Sequence, residues 1–208
     1  MPVIKLVDIC KKYDDKVIFD NLNLEIKGGE FVSIVGESGA GKSTLLNIIG
    51  LLETADSGDV IIHNVKNPKL QKRSGSILLR NNIAYLFQNY GLIDNETVLE
   101  NLMISLRFKQ MSRKDKITEA EKALENVGLS GFSRKKVYKL SGGEQQRVAL
   151  AKIMLKPCDI ILADEPTGSL DDDNKNAVLD ILKKFNEEGK TVIVATHDTV
   201  VAECAKRN

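Results

Sequence analysis

Tryptophan is absent from this chain of 208 residues, and cysteine and proline are scarce, with three and four residues respectively. The cysteines, Cys10, Cys158 and Cys204, form no CxxC pair and are odd in number. Such a set does not build a disulfide framework and argues against structural zinc. The composition therefore favours a reducing compartment, and we expect a cytoplasmic chain.

A dominant charge is also missing, since 30 basic and 29 acidic residues leave a formal net charge of +1. This balance gives no general electrostatic reason to bind nucleic acid or an anionic membrane. No apolar run approaches the ~18 to 20 residues that span a bilayer, and the first residues lack a signal-peptide core. We expect no nucleic acid partner and no direct insertion into a membrane.

Length and a hydrophobic content of 42% are sufficient for one sizeable core, so the chain is predicted to be one domain over residues 1–208. Strand and helix signals alternate along most of it, which predicts an α/β fold with a mostly parallel central sheet. Short strand signals at 4–9, 23–26, 31–35 and 59–62, separated by turn residues at 28–29 and 57–58, predict a small antiparallel β layer.

Helical spacing of apolar residues dominates the middle of the chain, at Val98 to Leu106 and at Ile117 to Val127. Ser112 with Asp115 is expected to cap the second of these helices, and Gly128 to end it. We therefore predict a helical subdomain over 89–155, inserted into an α/β nucleotide-binding core formed by 1–88 and 156–208. The α/β pattern resumes with strands at 159–164 and 191–196 around one helix.

A glycine-rich phosphate loop follows the apolar strand at 31–35 and opens a helix, which is the context that this motif requires. Backbone N–H groups of such a loop surround phosphates, Lys42 reaches the β and γ phosphates, and the Ser43 hydroxyl coordinates Mg²⁺. A chance glycine-rich turn is the alternative, which the full pattern in this context argues against. The predicted nucleotide-binding residues are Gly36, Glu37, Ser38, Gly39, Ala40, Gly41, Lys42, Ser43 and Thr44.

Two adjacent carboxylates, Asp164 and Glu165, end the apolar strand at 159–164. A buried parallel strand delivers both at its carboxyl end, where α/β folds bind ligands. Asp164 is suited to hold Mg²⁺, and Glu165 to orient and deprotonate the attacking water. Without the phosphate loop, an ordinary polar strand exit before Pro166 would explain the pair equally well.

Gln88 and His197 each come just after an apolar strand. An imidazole there can donate to the γ phosphate, and a glutamine amide can coordinate Mg²⁺ or position water. A single histidine after a strand is more often a surface or capping residue, and we interpret His63 in that way.

A second glycine pair lies in Leu-Ser-Gly-Gly-Glu-Gln-Gln-Arg, residues 140–147. Ser141 and Glu144 form an S-x-x-E capping box, which places Gly142 and Gly143 in the first turn of a helix. The N-terminus of that helix points unpaired N–H groups and a partial positive charge at an anion. Ser141 caps the helix in any case, but two glycines in a first turn are costly unless another group must come close.

Together these residues resemble the ATP-binding cassette (ABC) ATPases, the motor subunits of ABC transporters. The resemblance covers essentially the whole chain and includes Ser169, Leu170 and Asp171. It implies a P-loop NTPase fold, ATP and Mg²⁺ as cofactors, and a head-to-tail homodimer. In that dimer the signature residues Ser141, Gly142, Gly143 and Glu144 of one subunit close over the ATP that the phosphate loop of the other holds.

The resemblance also implies that Tyr13 stacks on adenine, although a tyrosine in a turn often packs on its own subdomain instead. The Asp171 loop is expected at the dimer interface. An integral membrane permease is the implied partner, holding the chain peripherally at the inner face of the cell membrane. Exposed apolar residues among Tyr90, Leu92 and Ile93 would mark the permease groove, and buried ones would be core.

Among ABC ATPases, the sequences of residues 29–36, 163–171 and 195–198 are similar to those of the macrolide-exporter and lipoprotein-releasing group. The sequence of residues 86–98 is similar to that of bacteriocin or peptide exporters. A non-transport mechanical role of the cell-division type stays open. The interval between Lys42 and Ser141 leaves no room for the coiled coil of repair or chromosome ATPases. We also expect no carboxyl-terminal regulatory domain, and with Glu165 and His197 in place we expect a competent ATPase.

Overall fold

The structure, a computed structural model, describes residues 2–168, 170–205 and 207. Its strands are β1 (Pro2–Tyr13), β2 (Lys16–Lys27), β3 (Phe31–Val35), β4 (Ser57–Ile62), β5 (Val65–Lys66), β6 (Ile83–Leu86), β7 (Ile160–Asp164) and β8 (Thr191–Thr196). Its helices are α1 (Lys42–Ile49), α2 (Arg73–Asn81), α3 (Val98–Ser105), α4 (Arg113–Asn126), α5 (Gly142–Met154), α6 (Asp172–Glu187) and α7 (Thr199–Glu203), with a 3-10 turn at Val137–Lys139. The predicted α/β class is confirmed.

Two four-stranded sheets carry the fold. One is antiparallel with the order β2-β1-β4-β5, and the other has the order β3-β8-β7-β6 with every pairing parallel. The sequence predicts both sheets, but it places the strand at 31–35 in the antiparallel layer, whereas this strand is β3 of the parallel sheet and pairs with β8. The first three residues of β3 are buried there, as expected for a sheet covered on both faces. Since parallel strands all point the same way, the loops after β3, β6, β7 and β8 meet at one edge.

The parallel sheet is buried on both faces, which explains why its strands are continuous apolar runs. In β7, Ile161 and Ala163 pack into a core shared with α3 to α6, whereas Ile160 and Leu162 pack into a second core with α1 and the antiparallel sheet. All six residues of β8 are buried. The sheet is therefore a rigid support for the loops at its edge.

The middle of the chain is helical, as predicted, with α3, α4 and α5 packed around Leu102, Leu124 and Val148. The Ser112 hydroxyl accepts from the Asp115 N–H and caps α4, and Gly128 follows the end of α4 with φ +71°. Helix α5 also packs on α6, so the helical segment joins the core along that side.

Several elements differ from the prediction. Strands β3 and β8 have the expected bounds, but β1 and β2 are twelve residues each, and β5, α2 and α7 carry no clear sequence signal. Gly58, expected in a turn, lies in β4 with φ +91°. A Cβ there would lie 2.4 Å from the Asp8 carbonyl oxygen, at a register shift of β1. This glycine permits close strand approach and does not end a strand.

Candidate functional site

A cavity of about 550 Å³ opens at the edge where the parallel strands end. Its lining comes from β2, the loop after β3, the start of α1 and the segments after β6, β7 and β8. The lining residues are Ile18, Glu37, Ser38, Gly39, Gly41, Lys42, Ser43, Thr44, Gln88, Glu165, Gly168 and His197. Most are predicted site residues, but Ile18 and Gly168 were not predicted from the sequence.

The phosphate loop depends on glycine at its last turn. Gly39 and Gly41 have φ values of +78° and +90°, which favour glycine, and a Cβ on Gly41 would lie 2.5 Å from the Ile18 side chain. Gly41 begins α1 without a side-chain cap, so the first N–H groups of the helix face the cavity as anion donors.

Lys42 lies inside this loop with only 9% of its surface exposed. Its ammonium donates to the carbonyl oxygens of Gly36 at 2.8 Å and Glu37 at 3.0 Å, and is 3.9 Å from a carboxylate oxygen of Glu165. Gly36 therefore acts through its backbone and is not part of the cavity wall. Ala40 likewise serves the turn, donating its N–H to the Glu37 carbonyl at 3.2 Å.

Asp164 lies against the first turn of α1, where one carboxylate oxygen accepts from the Ser43 hydroxyl at 3.0 Å. Burial raises the pKa of Asp164, and this effect outweighs the hydrogen bond from Ser43, which acts in the opposite direction. A bound cation would remove the penalty of burying the charged carboxylate.

Glu165 has a φ of +44°, an unusual backbone for a residue other than glycine. Its N–H donates to the Ala195 carbonyl at 2.9 Å, which holds this conformation. The side chain is 14% exposed, with one carboxylate oxygen 2.9 Å from His197 Nδ1 and the other accepting from the Thr196 hydroxyl at 3.4 Å. Strained backbones of this kind cost about 1–3 kcal/mol and concentrate at functional sites.

The two remaining predicted side chains, Gln88 and His197, are more exposed to solvent. Gln88 is exposed after β6, and 67% of the His197 side chain is exposed. The structure thus brings Lys42, Ser43, Gln88, Glu165 and His197 to one cavity. His63 lies elsewhere, with Nε2 2.9 Å from Asp159.

Mg²⁺ fits this arrangement as a nucleotide-bound ion. Within the described ranges no group of three or more His, Cys, Asp or Glu side chains could hold a metal. Ser43 and Asp164 instead place two oxygen ligands side by side, 3.0 Å apart. Mg²⁺ typically keeps several waters and uses one or two protein oxygens together with substrate phosphates.

The predicted capping box is present at the start of α5. The Ser141 N–H donates to the Glu144 carboxylate at 2.7 Å, and the Glu144 N–H donates to the Ser141 hydroxyl at 3.3 Å. The hydrogen bond from the Ser141 backbone lowers the pKa of Glu144. None of Ser141, Gly142, Gly143 and Glu144 lines the phosphate-loop cavity. The two halves of the expected ATP site are therefore separate within one chain.

Side chains of the same chain come close to both glycines. A Cβ on Gly142 would lie 2.9 Å from the Tyr90 hydroxyl, and one on Gly143 would lie 2.5 Å from the Asn174 side chain. Asn174 donates to both carboxylate oxygens of Asp171 and accepts from Arg147. The sequence predicts that some group comes close to the two glycines, but it does not identify Asn174, which is distant along the chain.

Tyr13 is 42% exposed at the end of β1 and is not part of the phosphate-loop cavity. Its hydroxyl donates to Glu53 at 2.9 Å, and the Lys11 ammonium is 4.9 Å from the ring centre. Asp171 caps α6 by accepting from the Asn174 N–H. Ser169, its neighbour in the expected interface loop, lies outside the described residues.

A second cavity, of about 680 Å³, lies between α2, β6, α3 and α5, and we call it the apolar groove. Tyr90 lines it, Leu92 packs on the core, and Ile93 is 49% exposed but outside the groove. Tyr90 is itself half-buried and packs on the same core as Leu92, so the one exposed residue of the three, Ile93, does not mark this groove. The large exposed apolar residues of the groove are instead Leu52, Leu70, Ile104 and Phe108.

Comparison with known proteins matches residues 19–168 to the ABC transporter family. The chain is 43% identical to the uncharacterised ABC transporter ATP-binding protein MJ0796 of Methanocaldococcus jannaschii, over 99% of this chain and 91% of that protein. The chain belongs to the ABC transporter family of ATPases. As an ABC ATPase it binds ATP and hydrolyses it, and the P-loop NTPase fold is confirmed.

Two kinds of relative bear on assembly. A dimeric structure of MJ0796 matches this ABC ATPase with a TM-score of 0.90 over 98% of this chain and 91% of that one, and a dimeric post-hydrolysis state bound to ADP and Pi matches with 0.89. The macrolide export ATP-binding/permease protein MacB of Campylobacter jejuni is 39% identical over 99% of this chain. The chain spans only 32% of that relative.

No helix in the described part of this ABC ATPase, 2–168 with 170–205 and 207, is long and apolar enough to cross a bilayer.

Proposed function

We propose that this ABC ATPase closes as a head-to-tail homodimer around two ATP molecules and drives a separate membrane permease. The observation that carries the proposal is the geometry of the phosphate-loop cavity. It unites Lys42, Glu165 and His197, yet the anion-binding turn at Ser141 to Glu144 lies outside it. A second copy supplies that turn in trans.

In the proposed mechanism, Lys42 exchanges its contacts to the loop carbonyls for the β and γ phosphates. Ser43, Asp164 and Gln88 would hold Mg²⁺, which when bound neutralises charge on the phosphates. Glu165 orients the attacking water and takes its proton, and its short contact to His197 fixes the carboxylate beside the γ phosphate. Thr44 and the loop N–H groups bind the remaining phosphate oxygens.

The surrounding parts receive roles that follow from their positions. Tyr13 stacks on adenine, held by its hydrogen bond to Glu53. Residues 1–88 and 156–208 form the nucleotide-binding core. Residues 89–155 form the subdomain that carries the signature turn, which is the turn from Ser141 to Glu144. The Asp171 loop lies at the interface of the two copies.

The permease docks in the apolar groove, which leaves large apolar side chains exposed beside the helical subdomain. This contact would hold the chain at the inner face of the cell membrane. The likeness to MacB supports export of a drug, peptide, bacteriocin or lipoprotein, because that relative joins such a cassette to a permease.

Replacing Glu165 with glutamine tests the catalytic assignment. The amide keeps the size of the side chain but cannot accept a proton, so ATP binding should persist while turnover falls by about a hundred-fold or more. Light scattering should then show a nucleotide-bound dimer. Thr196→Val, which changes a neighbouring side chain, should lower turnover far less.

Wild-type activity should also rise with protein concentration, because each site needs a second copy. Full turnover by the Glu165→Gln variant would refute the base assignment. Full activity of a protein that stays monomeric with ATP would refute the shared site.

A further inference from the structure

An ion pair beside the candidate site joins helix α6 to the turn that carries His197. The Lys175 ammonium is 2.7 Å from a carboxylate oxygen of Asp198, the residue directly after His197. Only 23% of the Lys175 side chain and 20% of the Asp198 side chain are exposed. This pair is therefore better shielded from water and salt than an ordinary surface ion pair, which contributes little to stability.

Asp198 is held in place from three directions. Its N–H donates to the Thr196 hydroxyl at 3.0 Å, and one carboxylate oxygen caps α7 by accepting from the Val200 N–H at 2.9 Å. The other carboxylate oxygen accepts from Lys175. The hydrogen bond from Lys175 lowers the pKa of Asp198, and the same bond raises the pKa of Lys175, so both groups are charged at neutral pH.

Lys175 projects from a firmly held part of the molecule. Its N–H donates to the Asp171 carbonyl at 2.8 Å in the first turn of α6, and Asp171 caps this helix by accepting from the Asn174 N–H at 2.9 Å. The buried side chains that anchor α6 in the core are Val178, Leu179, Leu182 and Phe185. The ion pair thus connects the turn after β8 to a packed and capped helix.

The His197 imidazole is much more open than this ion pair. Two-thirds of its side chain is exposed, and Nδ1 lies 2.9 Å from a carboxylate oxygen of Glu165. Because so little of the ring is packed, its position depends chiefly on the backbone of residues 196–198, which Asp198 anchors. A displacement of about 1 Å in a reacting group can lower a rate by up to about a hundred-fold.

We infer that Lys175 is a positioning residue for His197. By holding Asp198, the ammonium fixes the turn at residues 196–198 against α6 and so keeps the imidazole beside Glu165. Lys175 does not line the phosphate-loop cavity, so it acts through Asp198 and His197. This inference rests on the proposed role of His197 in ATP hydrolysis and names the residue on which the position of the imidazole depends.

Nuclear magnetic resonance of the nucleotide-free protein tests the positioning directly. The chain has only 2 histidines, so carbon-labelled histidine gives two Hε1 signals, which His63→Gln assigns. Spectra recorded at about pH 8.5 keep an ordinary imidazole neutral, so protonation does not confuse the comparison.

Lys175→Met removes the ammonium and keeps a side chain of similar length. In this variant the His197 signal should sharpen and move toward that of a histidine in an unstructured peptide, because the ring becomes more mobile. The His63 signal is the internal control. It should not change, because His63 contacts Asp159 and lies away from the site.

Turnover supplies the functional measurement. Lys175→Met should lower kcat for ATP hydrolysis about five- to ten-fold, while KM for ATP stays within about two-fold because the phosphate loop is untouched. Lys175→Arg keeps a charged donor and should retain kcat within about two-fold of the wild type. Lys183→Met is the matched control, since it removes the same charge from an exposed position of the same helix and should leave kcat unchanged.

Asp198→Asn reaches the same ion pair from its other side, and so does not depend on how Lys175→Met folds. Asparagine still caps α7, but it loses the charge that pairs with Lys175. This variant should lower kcat and sharpen the His197 signal in the same way as Lys175→Met. In the Asp198→Asn background, Lys175→Met should have no further effect.

The outcomes separate this inference from the proposed function. An unchanged His197 signal in Lys175→Met and in Asp198→Asn would overturn the inference, and so would equal losses of kcat in Lys175→Met and Lys183→Met. Additive losses in the double variant would also overturn it, because Lys175 would then act by a route other than Asp198. A changed His197 signal with full turnover would uphold the positioning by Lys175 and would instead refute the catalytic role proposed for His197.

Discussion

Gly143→Ala isolates the reason why the signature turn needs glycine. The added Cβ would lie 2.5 Å from the Asn174 side chain, well inside normal contact distance. The Asn174 side chain cannot rotate away without breaking hydrogen bonds. The backbone and the side chain of Asn174 both donate to Asp171, and the side chain also accepts from Arg147. The clash exists in a single chain without nucleotide.

The magnitude follows from two opposing effects. Overpacking of this kind costs about 1–3 kcal/mol, whereas alanine in place of glycine stabilises a helix by about 0.5–1 kcal/mol. Gly143→Ala should therefore reduce the free energy of unfolding by roughly 0.5–2 kcal/mol. In an Asn174→Ala background the clash is gone, so the same change should stabilise the protein by about 0.5 kcal/mol.

The assay is urea unfolding of the nucleotide-free protein, followed by far-ultraviolet circular dichroism. Four proteins complete the double-mutant cycle, and its coupling energy should be about 1–3 kcal/mol. Gly142→Ala is the control, because its new Cβ would meet the end of the Tyr90 side chain and not Asn174. An equal cost of Gly143→Ala in both backgrounds would refute the explanation through Asn174.

Two further predictions concern the nucleotide site. Lys42→Ala should weaken ATP binding itself, because the buried ammonium is replaced by a methyl group, and normal affinity in an ATP titration would contradict the phosphate-loop assignment. Because burial raises the pKa of Asp164, its carboxylate takes up a proton at a higher pH than a free aspartate, and the apparent affinity for Mg²⁺ should fall early on acidification. Excess Mg²⁺ should offset this loss of affinity. The Asp164→Asn variant should not show the loss, because it has no carboxylate to protonate at this position. A wild-type affinity for Mg²⁺ that stays constant down to the ordinary pKa of aspartate would contradict the raised pKa of Asp164.

Local patterns in the sequence were sufficient to predict much of the candidate site. The phosphate loop, the capping box of Ser141 and Glu144, and the carboxylates after β7 were all predictable, because each depends on residues close together in the chain. Parallel strands meet at one edge, so the clustering of Gln88, Glu165 and His197 also followed from the strand order. The lengths of β1 and β2 and the short helix α2 did not follow, since tertiary pairing sets them and local preference does not.

Sequence alone thus determined the fold class, the phosphate loop and the signature turn of this ABC ATPase. Tertiary structure decided what surrounds them: Asn174 against Gly143, the left-handed backbone of Glu165, and the burial of the Lys42 ammonium. The physical reason is that a motif consists of residues that are close together in the sequence. Close packing and the loss of water around a charge depend instead on residues that only folding brings together.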